Sequence, residues 1–404
     1  VNIVFLSPAG QLGGAEAALY EMLAGLRETH PAWPLRLIVA SEGPLASRVS
    51  SLGIGVDVLP FPPALARLGD WNLSEGIRPR VVLLARCAAA ALPTFAYLRR
   101  LRRALRAHAP AVVHTNGLKM HLLGAWARPR GAALVWHFHD YAGRRAFMVR
   151  LLRRSSHRCA AIVANSRSVA EDARRVCGAR VTVHPVWNAV DLTRFSPSGP
   201  RLDLDVLAGL PAAGEGVLRV GLVATFARWK GHEMFLRALA LLPRSLHVRG
   251  YIVGGPIYET TGSQVTMDDL RRQAETLGVA DRVGFTGFVQ DSSAAIRALD
   301  LVVHASTDPE PFGLVIAEAM ACGKAVVVSH AGGAIELTES GTNALTHLPG
   351  DAPALAARIE ELARDSRLRQ RLGKAGRATA ERSFTRTRMA LELTPIYESL
   401  AAAN

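Results

Sequence analysis

Short β-branched, apolar runs alternate with longer helical stretches twice along this chain, and that alternation limits its fold more than any other feature. The first series is "NIVFL", "LRLIVAS", "GVDVLP", "AVVHT", "ALVWHF" and "AIVANS"; the second is "RVGLVA", "RGYIVGG", "RVGFTG", "LDLVVHAS" and "KAVVVSH". Strands that are apolar on both faces need cover on both, and strands separated by helices pair in parallel. The sequence therefore predicts an α/β chain of two doubly wound, Rossmann-like domains whose strand ends bound a cleft. Between them, "WNAVDLTRFSPSGPRLDLDVLAGLP" loses all periodicity and gathers Pro, Gly and Ser, as a linker does. The expected domains are residues 1–192 and 193–385, with a helical tail, 386–404, crossing back to the first.

The stretch "HASTDPEPFGLVIAEAMACGKAVVVSHAGG" concentrates the chemistry of the second half. From Phe312 to Cys322 every residue is apolar or glycine except Glu318, and Glu310 precedes it in a proline-flanked turn. The run reads as a buried helix stopped by Gly323. A carboxylate inside it needs a cationic or hydroxyl partner, and a buried ion pair with an arginine is the bland reading of Glu318. The helix start at Phe312, Gly313 and Leu314 presents backbone N–H groups to an anion beside Glu310. Phosphate at the helix end and sugar hydroxyls at the two carboxylates suit one ligand. A hydrolytic acid and base pair is the competitor; on one helix, eight residues would separate the pair by about 12 Å, beyond the roughly 5 to 9.5 Å such pairs span.

Gly-rich turns follow strands where a doubly wound fold binds ligands. "SPAGQLGGAEAAL" leads from the first strand through Gly10, Gly13 and Gly14 into a helix, without the GxGxxG spacing of a dinucleotide site. "ATFARWKGHEMFLRAL" carries Arg228 and Lys230 into another helix start. Lys230 draws the eye because Lys119, Lys230, Lys324 and Lys374 are the only lysines among 48 basic residues.

The net charge of +14 admits two readings. Arginine excess from base composition is one. The other is an anionic partner met by the clusters "YLRRLRRALRAHAP" and "YAGRRAFMVRLLRRSSHR", the second of which, Arg144 to Arg158, would suit an anionic membrane as a basic amphipathic face. No nucleic-acid motif accompanies the arginines, so no nucleic-acid partner is expected. Cys87, Cys159, Cys177 and Cys322 lack metal-ligand spacing and read as reduced core thiols. Asp203 and Asp205, the only acid pair with metal-like spacing, read as solvated loop charge, and no metal is expected. The longest apolar run near the first cluster is too short to span a bilayer, and the chain opens on a strand with no signal-like start. The expected location is cytoplasmic, with contact at the inner face of the membrane peripheral.

These residues together resemble the retaining glycosyltransferases of family four, which have the GT-B fold. Glu310 and Glu318 match the family's two glutamates separated by seven residues, within "PEPFG" and "EAMACGK". "GGAE", "WHFHD", "NAVDLTRF", "KGHE", "IVGGP" and "DRVGFTGFV" extend the resemblance over nearly the whole chain. It implies an acceptor-binding first domain and a donor-binding second domain. Glu318 would hold the ribose hydroxyls of a nucleotide sugar and Glu310 the sugar; Phe312, Gly313 and Leu314 would offer N–H groups to sugar or diphosphate. Lys230 would neutralise the diphosphate, with Arg228 beside it, and the base would lie at Val283 to Gly287, hence Phe285 and Gly287. From the first domain, Gly13 and Gly14 would approach phosphate, and His139 would reach the sugar, as a hydrogen-bonding group or, with Asp140, as a base.

By this resemblance the activity is retaining transfer of hexosyl type from a nucleotide-diphosphate sugar to a glycan, lipid-linked or secondary-metabolite acceptor. The sugar nucleotide is co-substrate and no cofactor is implied. Acceptor choice falls to first-domain loops, Leu65 to Pro79 among them. One departure stands out: the family's arginine five residues before the "KG" lysine is replaced here by Thr225. That keeps an epimerase or a non-catalytic nucleotide-sugar scaffold as alternatives.

Overall fold

The computed structural model describes residues 1–66, 77–256 and 264–403, and the side chains of 77–88 are not among them. Cys87 and most of the loop from Leu65 to Pro79 thus lie outside the described residues. The chain divides into two compact units, Val1–Ala189 with Arg386–Asn404, and Val190–Thr385.

The first unit holds strands β1 (Ile3–Ser7), β2 (Leu35–Val39), β3 (Gly55–Val58), β4 (Val112–Asn116), β5 (Ala133–Phe138), β6 (Ala161–Ala164) and β7 (Thr182–Pro185). Its helices are α1 (Gly14–Thr29), α2 (Pro44–Ser51), α3 (Pro63–Ala66), α4 (Ile77–His108), α5 (Leu118–Ala127), α6 (Ala146–Ser155) and α7 (Arg167–Cys177). All strands run parallel in the order β3-β2-β1-β4-β5-β6-β7. Alternation along β1 explains the two cores: Val4 and Leu6 join α4, α5, α6 and α7 on one face, whereas Ile3 and Phe5 join α1 and α2 on the other.

The second unit holds α8 (Leu204–Ala208), β8 (Leu218–Val223), α9 (His232–Leu241), β9 (Val248–Val253), α10 (Met267–Thr276), β10 (Val283–Gly287), α11 (Ser292–Ala298) and β11 (Leu301–His304). It continues through α12 (Leu314–Ala321), β12 (Ala325–Ser329), α13 (Ala334–Leu337), β13 (Leu345–His347), α14 (Ala352–Arg364) and α15 (Ser366–Ser383). Its sheet order is β10-β9-β8-β11-β12-β13, again all parallel. The last helix, α16 (Arg386–Ala402), belongs to the first unit: Met389, Leu393 and Tyr397 enter the core beneath α1, and Arg386 pairs with Glu21.

Each sheet has one place where the strand order reverses, between β1 and β4 and between β8 and β11, and the crevice beyond the strands' carboxyl ends at such a point is where this architecture takes ligands. Two strands escape the sequence pattern, β7 and β13. Both are edge strands, "TVHP" and "LTH", with a single apolar residue each among Thr, His and Pro, so no apolar run marks them.

Candidate active site

In the second unit the loop after β8 and the loop after β11 meet at the reversal. The backbone N–H of Thr307 donates to the Trp229 carbonyl at 2.8 Å, tying the two together. Residues Arg228–Lys230 form a single 3-10 turn that ends at Gly231, whose φ is +76°. A side chain at Gly231 would start 1.9 Å from the Ala305 carbonyl oxygen, so only glycine lets the turn lie this close to the end of β11. Lys230 is thereby aimed across the loop. Its Nζ stands 2.9 and 3.1 Å from the two Glu310 oxygens and 3.9 Å from the Trp229 ring centroid.

Glu310 is held from several sides. The Ser306 hydroxyl donates to its Oε2 at 2.9 Å, and His304 Nε2 lies 3.0 Å from the same oxygen. Its backbone accepts from the Gly333 N–H at 2.6 Å and donates to Ala331, stitching it to the loop after β12. The carboxylate accepts only, so His304 must carry its proton on Nε2. Burial by itself would raise the Glu310 pKa; the Lys230 ammonium first, then the His304 hydrogen bond, overcome it and hold the carboxyl well below the usual carboxylate range.

The helix expected from Phe312 begins at Leu314 instead. Gly313, at φ +95°, turns the chain left-handed ahead of it, and Phe312 drops into the core against Phe384. The opening N–H groups of α12 therefore come from Leu314 and its successors, next to Glu310. Glu318 is half-buried on α12, about 6 Å along the axis from the helix start. Phe285 and Gly287 lie in β10, the edge strand, where the pairing register shifts between them and Gly287 takes φ +69°. Arg228 does not join Lys230. It is exposed and borders a pocket of about 440 Å³ with Val265, Asp269 and Arg272.

In the first unit, Gly13 is the extended residue before α1 and Gly14 the first of the helix. The buried Glu16 carboxylate folds back to accept from the Gly13 N–H, so a phosphate there must share that helix start with it. His139, after β5, donates from Nε2 to the Asn116 side chain beyond β4, whose amide nitrogen points to the Ala15 carbonyl. Burial pushes the His139 pKa down to about 3. A group so weakly basic offers a hydrogen bond at neutral pH rather than a general base.

Asp205 overturns the expectation of solvated loop charge. It is buried and bound by Arg249 at 2.6 Å, Arg219 at 3.2 Å, the Tyr251 hydroxyl and the Ala213 N–H, which fastens α8 to β8 and β9; Asp203 caps the same helix. Among the described residues no cluster of His, Cys, Asp or Glu has the arrangement of a metal site. His304 and Ser306, the other partners of Glu310, are not singled out by any motif in the sequence.

Two doubly wound parallel sheets in one chain, the first with a Gly-rich turn at its reversal point and the second with a lysine–glutamate pair beside a helix start, have the architecture of the GT-B class of α/β protein. Comparison with known families places it further: the family model "Glycosyltransferase Family 4" matches residues 12–194 and "Glycosyl transferases group 1" matches residues 213–379. Between them they account for most of the chain, which belongs to this glycosyltransferase family. It is 34% identical over 230 residues to D-inositol 3-phosphate glycosyltransferase of Xylanimonas cellulosilytica, covering 55% of this chain and 53% of that protein. It is 30% identical over 223 residues to mannosylfructose-phosphate synthase of Agrobacterium fabrum, covering 54% and 48%. The chain thus spans about half the length of the curated relatives it matches. Among solved structures, Anabaena HepE in complex with UDP-glucose superposes with a TM-score of 0.79 at 26% identity, over 98% of this chain and 99% of that one. Sucrose-phosphate synthase from Thermosynechococcus elongatus, at 0.77 and 19% identity over the full length of both, shares the fold.

Proposed function

We propose that this protein is a metal-independent, retaining glycosyltransferase that moves a sugar from a nucleoside-diphosphate sugar to a glycan, lipid-linked or small-molecule acceptor. The observation that carries the reading is the Lys230–Glu310 pair at the second reversal point, beside the opening of α12. A donor whose diphosphate reaches Lys230 and the α12 N–H groups sets its sugar against Glu310, and Glu318 is then available to the ribose. Cleavage of the anomeric C–O bond leaves an oxocarbenium-like centre and a diphosphate gaining negative charge. Lys230 and the helix start stabilise that charge most in the transition state. The new C–O bond forms on the face the diphosphate left, and the departing phosphate oxygen takes the acceptor's proton. Glu310, kept ionised, holds sugar hydroxyls and need not titrate.

UDP is the first donor nucleotide to test, because the similar HepE structure is a complex with UDP-glucose. Calorimetry of UDP and UDP-glucose, without metal and then with magnesium, against the wild type and Glu318→Ala should show metal-independent binding that the substitution abolishes. Binding indifferent to Glu318, or absent for every nucleoside diphosphate, would refute the reading. Thr225, in place of the family arginine, and Arg228, turned to another pocket, favour a second reading, a scaffold that binds donor without turning it over. Donor affinity with neither transfer nor slow donor hydrolysis would select it.

A further inference from the structure

The molecule's whole net charge resides in one stretch of the first unit. The chain has 48 Lys and Arg against 34 Asp and Glu; residues 91–170 hold 15 of the former and, in Asp140, one of the latter, leaving 33 against 33 elsewhere. Base composition would add arginines throughout, but it does not reduce eighty consecutive residues to a single carboxylate. The excess has a location, so the reading as partner recognition prevails.

Within this stretch, α4 packs on α5 and α5 on α6, in one layer over the sheet. Tyr97, Leu101 and Leu105 of α4, Met120 and Leu123 of α5 and Leu152 of α6 face inward. The opposite side of α4 carries Leu92, Phe95, Arg99, Arg102 and Arg106, spaced three and four apart along one stripe. Leu92 is 77% and Phe95 59% exposed; Trp126, at the end of α5, is 51% exposed. Phe147 is exposed near the start of α6, with Arg144, Arg145, Arg150, Arg153 and Arg154 about it. The three helices present one continuous surface, because two arginines close on Trp126. Arg102 donates to its carbonyl at 2.7 Å, and the Arg158 guanidinium lies 3.9 Å from its ring centroid.

Arginines interleaved with outward leucine, phenylalanine and tryptophan answer two demands at once. A nucleic-acid backbone would engage the arginines but has no use for Leu92 or Phe147. A protein surface of mixed charge would leave most of the arginines opposed by nothing. An anionic bilayer surface takes both, with guanidinium groups at the lipid phosphates and apolar side chains at the acyl boundary. We propose that the outer face of α4, α5 and α6 is a docking site for anionic lipid, wider than Arg144 to Arg158 alone. The contact is peripheral, since among the described residues no helix is long and apolar enough to cross a membrane.

The test is co-sedimentation of the full chain with phosphatidylcholine vesicles, alone and with a third of the lipid replaced by phosphatidylglycerol. The chain should pellet only with the anionic vesicles and be released by salt. Arg99→Glu/Arg106→Glu of that stripe, combined with Arg103→Glu at the adjoining exposed position of α4, should weaken partitioning at least about a hundredfold. Leu92→Ser/Phe95→Ser should weaken it about tenfold without changing its salt dependence. All five side chains are exposed, so both variants should keep the wild-type thermal midpoint, which separates lost docking from misfolding. A wild type that stays in the supernatant would overturn the proposal, as would equal binding to neutral vesicles, a charge-reversed chain that still pellets, or duplex DNA that displaces the vesicles.

Discussion

Acidification from pH 7 to pH 5.5 should destabilise the first unit more than the second, because three buried histidines and the half-buried His139 lie beneath its reversal point, against His232 and His347 in the second unit. The Tyr397 hydroxyl meets His114 Nδ1 at 2.9 Å, and His114 Nε2 meets His137 Nδ1 at 3.2 Å. His137 stacks beside His139 at 4.0 Å, and His121 bonds to Thr115 at 2.7 Å. A proton added to either His114 or His137 would set N–H against N–H or leave a buried N–H without an acceptor, as it would on His121 Nε2 or His139 Nδ1. Burial first, and for three of them their neighbours' charge second, pushes His114 and His139 down to about 3, and His121 and His137 well below the ordinary value.

A histidine that titrates near 6.5 when unfolded and stays neutral when folded adds stability that is complete above that value and lost as pH falls toward the folded pKa. Between pH 7 and pH 5.5 each loses on the order of 1 kcal/mol, so the four together lose several kcal/mol, a sizeable part of the roughly 5–15 kcal/mol that holds a domain together. Glu16, whose pKa burial raises, contributes with the opposite sign and is a single group. Urea unfolding followed by tryptophan fluorescence reads this directly, since Trp33, Trp126, Trp136 and Trp187 all lie in the first unit and Trp136 stacks on His121. The midpoint should fall steeply across that interval, and His121→Gln should remove about a quarter of the dependence. A midpoint flat from pH 7 to pH 5.5, followed by loss only in the carboxylate range, would refute the argument.

In the second unit, Lys230→Met leaves Glu310 buried without its cation and should cost roughly 3 kcal/mol, read by calorimetric melting; Lys230→Met/Glu310→Gln should recover much of it while donor binding stays lost. Gly231→Ala combines a left-handed φ with a collision at Ala305 and should destabilise by more than about 2 kcal/mol, again with loss of nucleotide binding by calorimetry. Asp205→Asn loosens a clasp made by Arg219, Arg249 and Tyr251; denaturant unfolding should shift by about 2–4 kcal/mol with nucleotide affinity unchanged.

What could be read in advance and what could not differ by range along the chain. Eleven strands and the apolar helix that carries Glu318 were legible because each is a local pattern, an apolar run between turn residues. β7 and β13 were not, since each carries a single apolar residue among Thr, His and Pro and so shows no apolar run. Asp205 misled for a related reason. Its neighbours in sequence are polar and loop-like, and the partners that bury it, Arg219, Arg249 and Tyr251, arrive from two strands that follow later. The Lys230–Glu310 pair is the extreme case, 80 residues apart and joined only because the sheet reverses between β8 and β11. Once two parallel strands leave the reversal point side by side, their following loops must share one crevice. The "KG" turn and the "PEPFG" turn are then neighbours by topology, and Gly231 sets how closely they approach. The sequence names the participants, and the strand order decides that they meet.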